Sequence, residues 1–126
     1  METLQFTIKQ MSALLVVVDL KRSLDFYIGE LGFVADFQYE HYYSGLVKDG
    51  FSLHLKAGKP STKKAGRRPE DVDILFSVEG IQDLYAALIR RPIKVTQPLR
   101  TMPYGTEFYI ADPDGYILAF VKGTYT

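Results

Sequence analysis

Apolar residues recur along this chain with two different periods. Near the start Leu4, Phe6 and Ile8 alternate with Thr3, Gln5, Thr7 and Lys9, the period of two expected of a short half-buried edge strand or arm. Leu14 to Val18 is a continuous apolar, β-branched run, which predicts a strand covered on both faces. The period then changes. Leu20, Leu24, Ile28 and Leu31 recur at helical spacing, Asp19 offers a side-chain acceptor to the free N–H groups of a first turn, and Gly32 suits a left-handed helix stop. Strands are expected around 33–40, 42–48 and 51–56, then at 72–78. A second helix over about 80–90 carries Ile81, Leu84 and Leu88 and is halted by Pro92, and strands near 94–98, 105–111 and 116–122 follow. Between the halves, residues 57–71 (AGKPSTKKAGRRPED) have no period and concentrate Gly, Pro, Lys and Arg, as an exposed connector does.

These elements occur twice. VVVDLKRSLDFYIGELGF (16–33) and FSVEGIQDLYAALIRRPI (76–93) superpose at an offset of sixty, with Asp19 over Glu79, Leu24 over Leu84 and Ile28 over Leu88. FYIADPDGYILAF (108–120) is strand, tight turn and strand, and LVKDGFSLHL (46–55) is a weaker copy that sets Tyr116 over Phe51, Leu118 over Leu53 and Phe120 over Leu55. Two copies are too few for a solenoid. They predict one domain over 1–126 with a pseudo-twofold: module one about 12–56, a linker at 57–71 and module two about 72–122.

At 126 residues and 47% hydrophobic content, the chain is long enough to bury a core without staples. Nine Tyr and eight Phe exceed what a minimal core needs and suggest an aromatic-lined cavity. The formal charge is zero, which argues against nucleic acid or an anionic membrane as partner. The absence of Cys removes disulfides, thiolate catalysis and Cys-based metal sites. Without a cleavable leader or an apolar run near the ~18 residues of a membrane helix, a soluble cytoplasmic protein is expected.

The motifs DLKRSLDFYIGELGF, DGFSLHL and EFYIADPDGYILAF stand in an order and at a separation that resembles the vicinal oxygen chelate superfamily, also called the glyoxalase, bleomycin resistance protein and extradiol dioxygenase superfamily. The likeness covers about residues 11–122. It implies an α+β fold of paired βαβββ modules forming a curled, open mixed sheet whose concave cup holds the ligand, and a homodimer, in some members with modules swapped. Metal-dependent members place four ligands on the cup, at positions that correspond here to Ser12, His54, Asp73 and Ala119. Only His54 is a typical ligand, and Ala119 has no donor, so the expectation is no metal and no cofactor. The closing hairpin looks most like the bleomycin resistance branch, which implies binding of a small, planar or aromatic molecule such as an antibiotic. A lyase, isomerase or ring-cleaving dioxygenase, with or without a divalent ion, is the enzymatic alternative.

Alternation along 51–56 puts Phe51, Leu53 and Leu55 toward the helices and Ser52, His54 and Lys56 toward the cup. His54 is then either a hydrogen-bonded wall residue or the candidate catalytic group, since imidazole titrates near neutrality. Asp73 faces the same cup by resemblance and could pair with it. A carboxylate turned into the helix-packed layer would be costly unless paired, so Glu107 and Tyr109 are aimed into the cup. With Phe37 and Tyr42 they complete the expected ligand-binding set: Phe37, Tyr42, Ser52, His54, Asp73, Glu107 and Tyr109.

Overall fold

The computed structural model of the chain describes residues 2–59, 68 and 70–124. Its first half runs β1 (Ser12–Val17), α1 (Leu20–Leu24), a π-helical turn (Asp25–Glu30), β2 (Val34–Tyr39), β3 (Tyr43–Lys48) and β4 (Phe51–Ala57). Its second half runs β5 (Ile74–Ser77), α2 (Ile81–Leu88), β6 (Lys94–Met102), β7 (Gly105–Ala111) and β8 (Ile117–Gly123). The two mixed sheets have the same order, β1-β4-β3-β2 and β5-β8-β7-β6. In each, the first strand is parallel to the last and the other pairs are antiparallel. The sequence repeat is therefore a repeat of topology, α+β in class, with neither sheet closed.

Local chemistry sets the element ends. Asp19 Oδ1 accepts from Arg22 N at 3.1 Å and so caps α1. Gly32 closes the helical segment at φ 82°, and Asp49 and Gly50, both at positive φ, make the two-residue turn that matches strand twist. The helix departs from the expected α-period after Leu24, where Leu31 N–H reaches back five residues to Phe26 O at 3.1 Å. That wider turn shifts the inward face by about one residue. As a result Phe26 and Tyr27 are buried while Ile28, expected in the apolar stripe, is exposed.

Other expectations need correction. Leu15 and Val17 are buried but Leu14 and Val18 are exposed, because β1 lies at a sheet edge and is covered on one face only. Residues 2–11 form no strand and are exposed throughout. Most of the connector expected at 57–71 lies outside the described residues, although β4 continues through Ala57. No described helix is long and apolar enough to cross a membrane.

One core spans both halves, including Leu15, Val17, Tyr27 and Leu55 from the first and Ile81, Phe108, Leu118 and Phe120 from the second. A ladder of rings ties it together: Phe76 and Phe108 each stack on Phe120 at 5.0 Å, and Phe33 meets Phe76 across the halves at 6.4 Å. The hairpin of module two then seals one seam between the halves. Asp112 Oδ1 accepts the backbone N–H groups of Asp114 and Tyr116, both at 2.9 Å, while Oδ2 accepts the Tyr27 hydroxyl at 2.7 Å. Asp114 accepts from Val18 N at 3.1 Å and Arg22 Nη2 at 3.2 Å, and the Tyr116 hydroxyl donates to Val16 O at 2.8 Å.

By the repeat, Asp49, Gly50 and Phe51 should seal the other seam in the same way. Among the described residues they carry no equivalent network, and Phe51, expected against the helices, is 77% exposed. A groove of about 500 Å³ remains there, lined by Phe33, Phe51, Phe76, Leu84 and Leu88 among others.

Tyr27 is buried and its phenol is pushed far up, first by burial and then by the Asp112 charge, so it stays a donor. Tyr27→Phe should therefore lower stability in urea by about 1–3 kcal/mol, the scale for orphaning a buried acceptor. An unchanged midpoint would show that the sealed seam does not depend on this bond.

Candidate functional site

On the sheet face opposite the core, the register across three strands decides what surrounds His54. The two-residue turn at Asp49-Gly50 sets Gly45 opposite His54, and β2 sets Phe37 opposite Gly45. Gly45 has no side chain, so the Phe37 ring lies across it; a Cβ there would fall on that ring. Phe37 thereby meets the imidazole edge-on at 5.3 Å and 89°, and stacks near Tyr43 at 6.1 Å and 12°. Tyr39 adds a fourth ring, 5.5 Å from Phe37. The Tyr43 hydroxyl lies 2.7 Å from His54 Nδ1. Nε2, the other ring nitrogen, is buried with no hydrogen-bond partner among the described residues.

The matching face of module two is built the other way round. Ala119 stands where His54 would and Tyr109 stands opposite it, where Gly45 would, so this position carries its own ring in module two, where in module one the Phe37 ring covers a glycine. Tyr109, Ile117 and Ala119 form a small buried cluster separate from the main core. Beside them Glu107 is buried, with Oε2 accepting from Arg100 Nε at 2.8 Å and Tyr109 Oη at 3.2 Å, and Oε1 accepting from Tyr104 Oη at 2.6 Å. Arg100 Nη2 adds a 2.6 Å ion pair, and the guanidinium stands 5.6 Å from the Tyr109 ring centre. A break in the β6 register between Gln97 and Arg100 sets Arg100 opposite Glu107; Pro98, which has no N–H for a ladder, lies within it.

Burial alone would raise the Glu107 carboxyl, but hydrogen bonds from Tyr104, Arg100 and Tyr109 outweigh it and hold the group below the ordinary value of 4.5. The hydrogen bond to Glu107, and after it desolvation, push Tyr104 up to about 12. Both oxygens of Glu107 are thus occupied.

The expected site residues separate into groups. Phe37 and His54 meet, joined by Tyr43 and Tyr39. Glu107 and Tyr109 meet, joined by Arg100 and Tyr104. No hydrogen bond, ion pair or ring contact joins these two clusters among the described residues. Ser52 is tied to Ser12 at 2.7 Å and to Gln10 at 3.0 Å. Asp73 Oδ2 accepts Ile117 N at 2.8 Å, so this carboxylate anchors the start of β8. Tyr42 is exposed in the β2–β3 turn, and Tyr43 takes the place beside the imidazole. Readable signals for Tyr43 and Gly45 lay in the two-residue turn, which fixes the β3–β4 pairing; Pro98 was the signal for the irregular strand that delivers Arg100.

A chelated divalent ion does not fit the four positions carried over by resemblance. Ser12 is bonded to Ser52, one Asp73 oxygen is held by backbone, Ala119 has no donor, and His54 turns one nitrogen to Tyr43. Among the described residues, no three His, Cys, Asp or Glu side chains gather.

Comparison with known proteins agrees with this architecture. The family described as Glyoxalase/Bleomycin resistance protein/Dioxygenase superfamily matches residues 8–120. No curated protein matches the chain. Among solved structures, a member of that superfamily from Sphaerobacter thermophilus is 28% identical, with a TM-score of 0.71 over 92% of this chain and 98% of that one. The bleomycin-binding protein of Streptomyces verticillus, complexed with copper(II)-bleomycin, is 20% identical, with a TM-score of 0.71 over 94% and 99%. TnmS3, an antibiotic binding protein from Streptomyces sp. CB03234, is 20% identical, with a TM-score of 0.72 over 98% and 100%.

The Glu107 cluster has a pH signature. Because its folded pKa is lowered, the unfolded chain binds more protons, and its stabilising contribution is full above about 4.5 and lost as pH falls through the folded value. Glu107→Gln should flatten the acid limb of melting temperature against pH. Asp112, raised by burial, tilts the curve the opposite way in both proteins alike. Parallel curves for parent and variant would mean that ionised Glu107 is not what the cluster stabilises.

Proposed function

Because the chain belongs to the glyoxalase, bleomycin resistance protein and dioxygenase superfamily, we propose that it binds a small planar organic molecule at the Phe37, Tyr43 and His54 nest, without a metal. What carries this reading is His54 Nε2, a buried polar atom with no partner among the described residues, since such an atom costs free energy until something satisfies it. With the Tyr43 phenol as the donor to Nδ1, the imidazole proton lies on Nε2, which is then a donor. The complementary ligand group is a carbonyl or phenolate oxygen. Phe37 packs against the imidazole at right angles, and a planar ligand takes its place beside Tyr43, exchanging one ring contact for another.

The fold neighbours that bind bleomycin or another antibiotic support a ligand of that kind. In the same proposal the protein is a cytoplasmic homodimer, in which a second copy covers the exposed apolar edges at Leu14 and Leu75. The 2.7 Å Tyr43–His54 contact favours one further reading, proton transfer on the bound molecule, which product analysis after incubation tests.

Tyrosine fluorescence and calorimetry, with copper(II)-bleomycin and a panel of polycyclic aromatic antibiotics as probes, test the binding. At least one planar probe should bind, and His54→Ala should weaken it by about 0.5–1.5 kcal/mol, or more if the contacted oxygen is charged, with little change in melting temperature. Unchanged affinity in His54→Ala, or no binding across the panel, would count against the nest. One equivalent of retained divalent metal, lost in that variant, would overturn metal independence.

A further inference from the structure

We propose that Ser52 is a second polar contact of the Phe37, Tyr43 and His54 nest, and that the ligand it selects is a planar ring with an acceptor oxygen at each of two opposite ends. The inference deepens the binding mode proposed above and rests on it. Ser52 and His54 stand two residues apart on β4, so both side chains occupy the face opposite the core, while Leu53 and Leu55 are buried on the other. Two residues of strand span about 6.6 Å. A ring with one oxygen-bearing group at each end reaches across such a distance, and two oxygens on neighbouring carbons do not.

Saturation of its lone pairs fixes the role of the serine. Ser52 Oγ accepts from Ser12 Oγ at 2.7 Å and from Gln10 Nε2 at 3.0 Å. A hydroxyl has two lone pairs and one proton, so both acceptor positions are filled and the Ser52 proton alone is left to be donated. Among the described residues no acceptor takes it. Ser12 has no such freedom, because its oxygen accepts from Gln10 Nε2 at 3.0 Å and its proton goes to Ser52.

This row of the sheet therefore offers donors and no carboxylate. With the imidazole proton on Nε2, His54 and Ser52 each present a hydrogen, and Lys56, the next residue on that face, is exposed and adds a cation. A ligand with one acceptor satisfies one of the two hydrogens; a ligand with two, spaced as the strand is, satisfies both. Each donor is also held from behind, the imidazole by the Tyr43 contact at Nδ1 and Ser52 by Ser12 and Gln10, so little remains to be ordered on binding. Module two has no matching excess. There Arg100 and Glu107 satisfy one another, and Ala119 stands where His54 would.

Three probes of one carbon skeleton test the spacing: para-diacetylbenzene, with a carbonyl at each end of the ring, meta-diacetylbenzene, with its second carbonyl out of line, and para-ethylacetophenone, with only one. Each is titrated to millimolar concentration against the full chain and followed by NMR. The para-diketone should bind at least about threefold more tightly than either of the others, and Ser52→Ala should weaken it by about two- to tenfold and erase that preference. Ser12→Ala, which frees the Ser52 hydroxyl to turn, should reduce the preference, and Ser12→Thr should restore it. Equal affinities for the three probes, each weakened by His54→Ala, leave the nest standing and overturn the spacing. A folded Ser52→Ala protein that keeps the parent's preference overturns it too. Failure of all three to bind, or binding indifferent to His54→Ala, removes the nest and this inference with it. The comparison among probes is made on the parent protein, so it decides the matter even where a variant fails to fold.

Discussion

The structure hangs on one buried carboxylate. Asp112 holds its own hairpin in shape through two backbone N–H groups and, with its second oxygen, takes the Tyr27 hydroxyl from the opposite half. Burial raises its pKa against those donors, so the side chain is held in a place it would not occupy alone. The π-helical turn is what brings Tyr27 to it. An unbroken α-helix would have presented another face, and the contact between halves would have had to be made from Ile28, which has no polar atom to offer.

Much of this was legible in the sequence because it depends on local chemistry. The Asp19 cap, the Gly32 stop and the Asp49-Gly50 turn each require a particular residue type, and the duplicated pattern revealed the topology. The π-turn was not legible, since apolar spacing alone cannot distinguish a helix that widens after its first turn from one that does not. Phe51 was misplaced for a related reason. Its repeat partner Tyr116 is held by a hydroxyl bonded to Val16 O, and phenylalanine has no such group, so an alignment that matches ring to ring overlooks the atom that fixes one of them.

The candidate site divides along the same line. Period-two alternation is enough to set Phe108 and Ile110 in the core and Glu107 and Tyr109 on the other face, because it needs only the strand's pleat. It cannot reveal that Glu107 is saturated by three side chains, one delivered through an irregular stretch at Pro98. Nor can it choose between the adjacent rings of Tyr42 and Tyr43, whose positions depend on where the β2–β3 turn ends. The halves have diverged by exchanging bulk between facing positions: imidazole against glycine in one, phenol against alanine in the other. A shared backbone thus carries a ring laid over a glycine beside an imidazole on one sheet and a ring built into the strand beside an alanine on its twin.

Gly45 gives that nest its bore. It is the floor on which Phe37 rests, and any side chain there would lift the ring away from the imidazole. A single methyl at this position would act as a fixed wedge, forcing the aromatic cover off the strand by about the thickness of that methyl. Under the binding mode proposed above, residue 45 would be a size gauge, and a graded series of small side chains there would retune which ring systems fit beside His54.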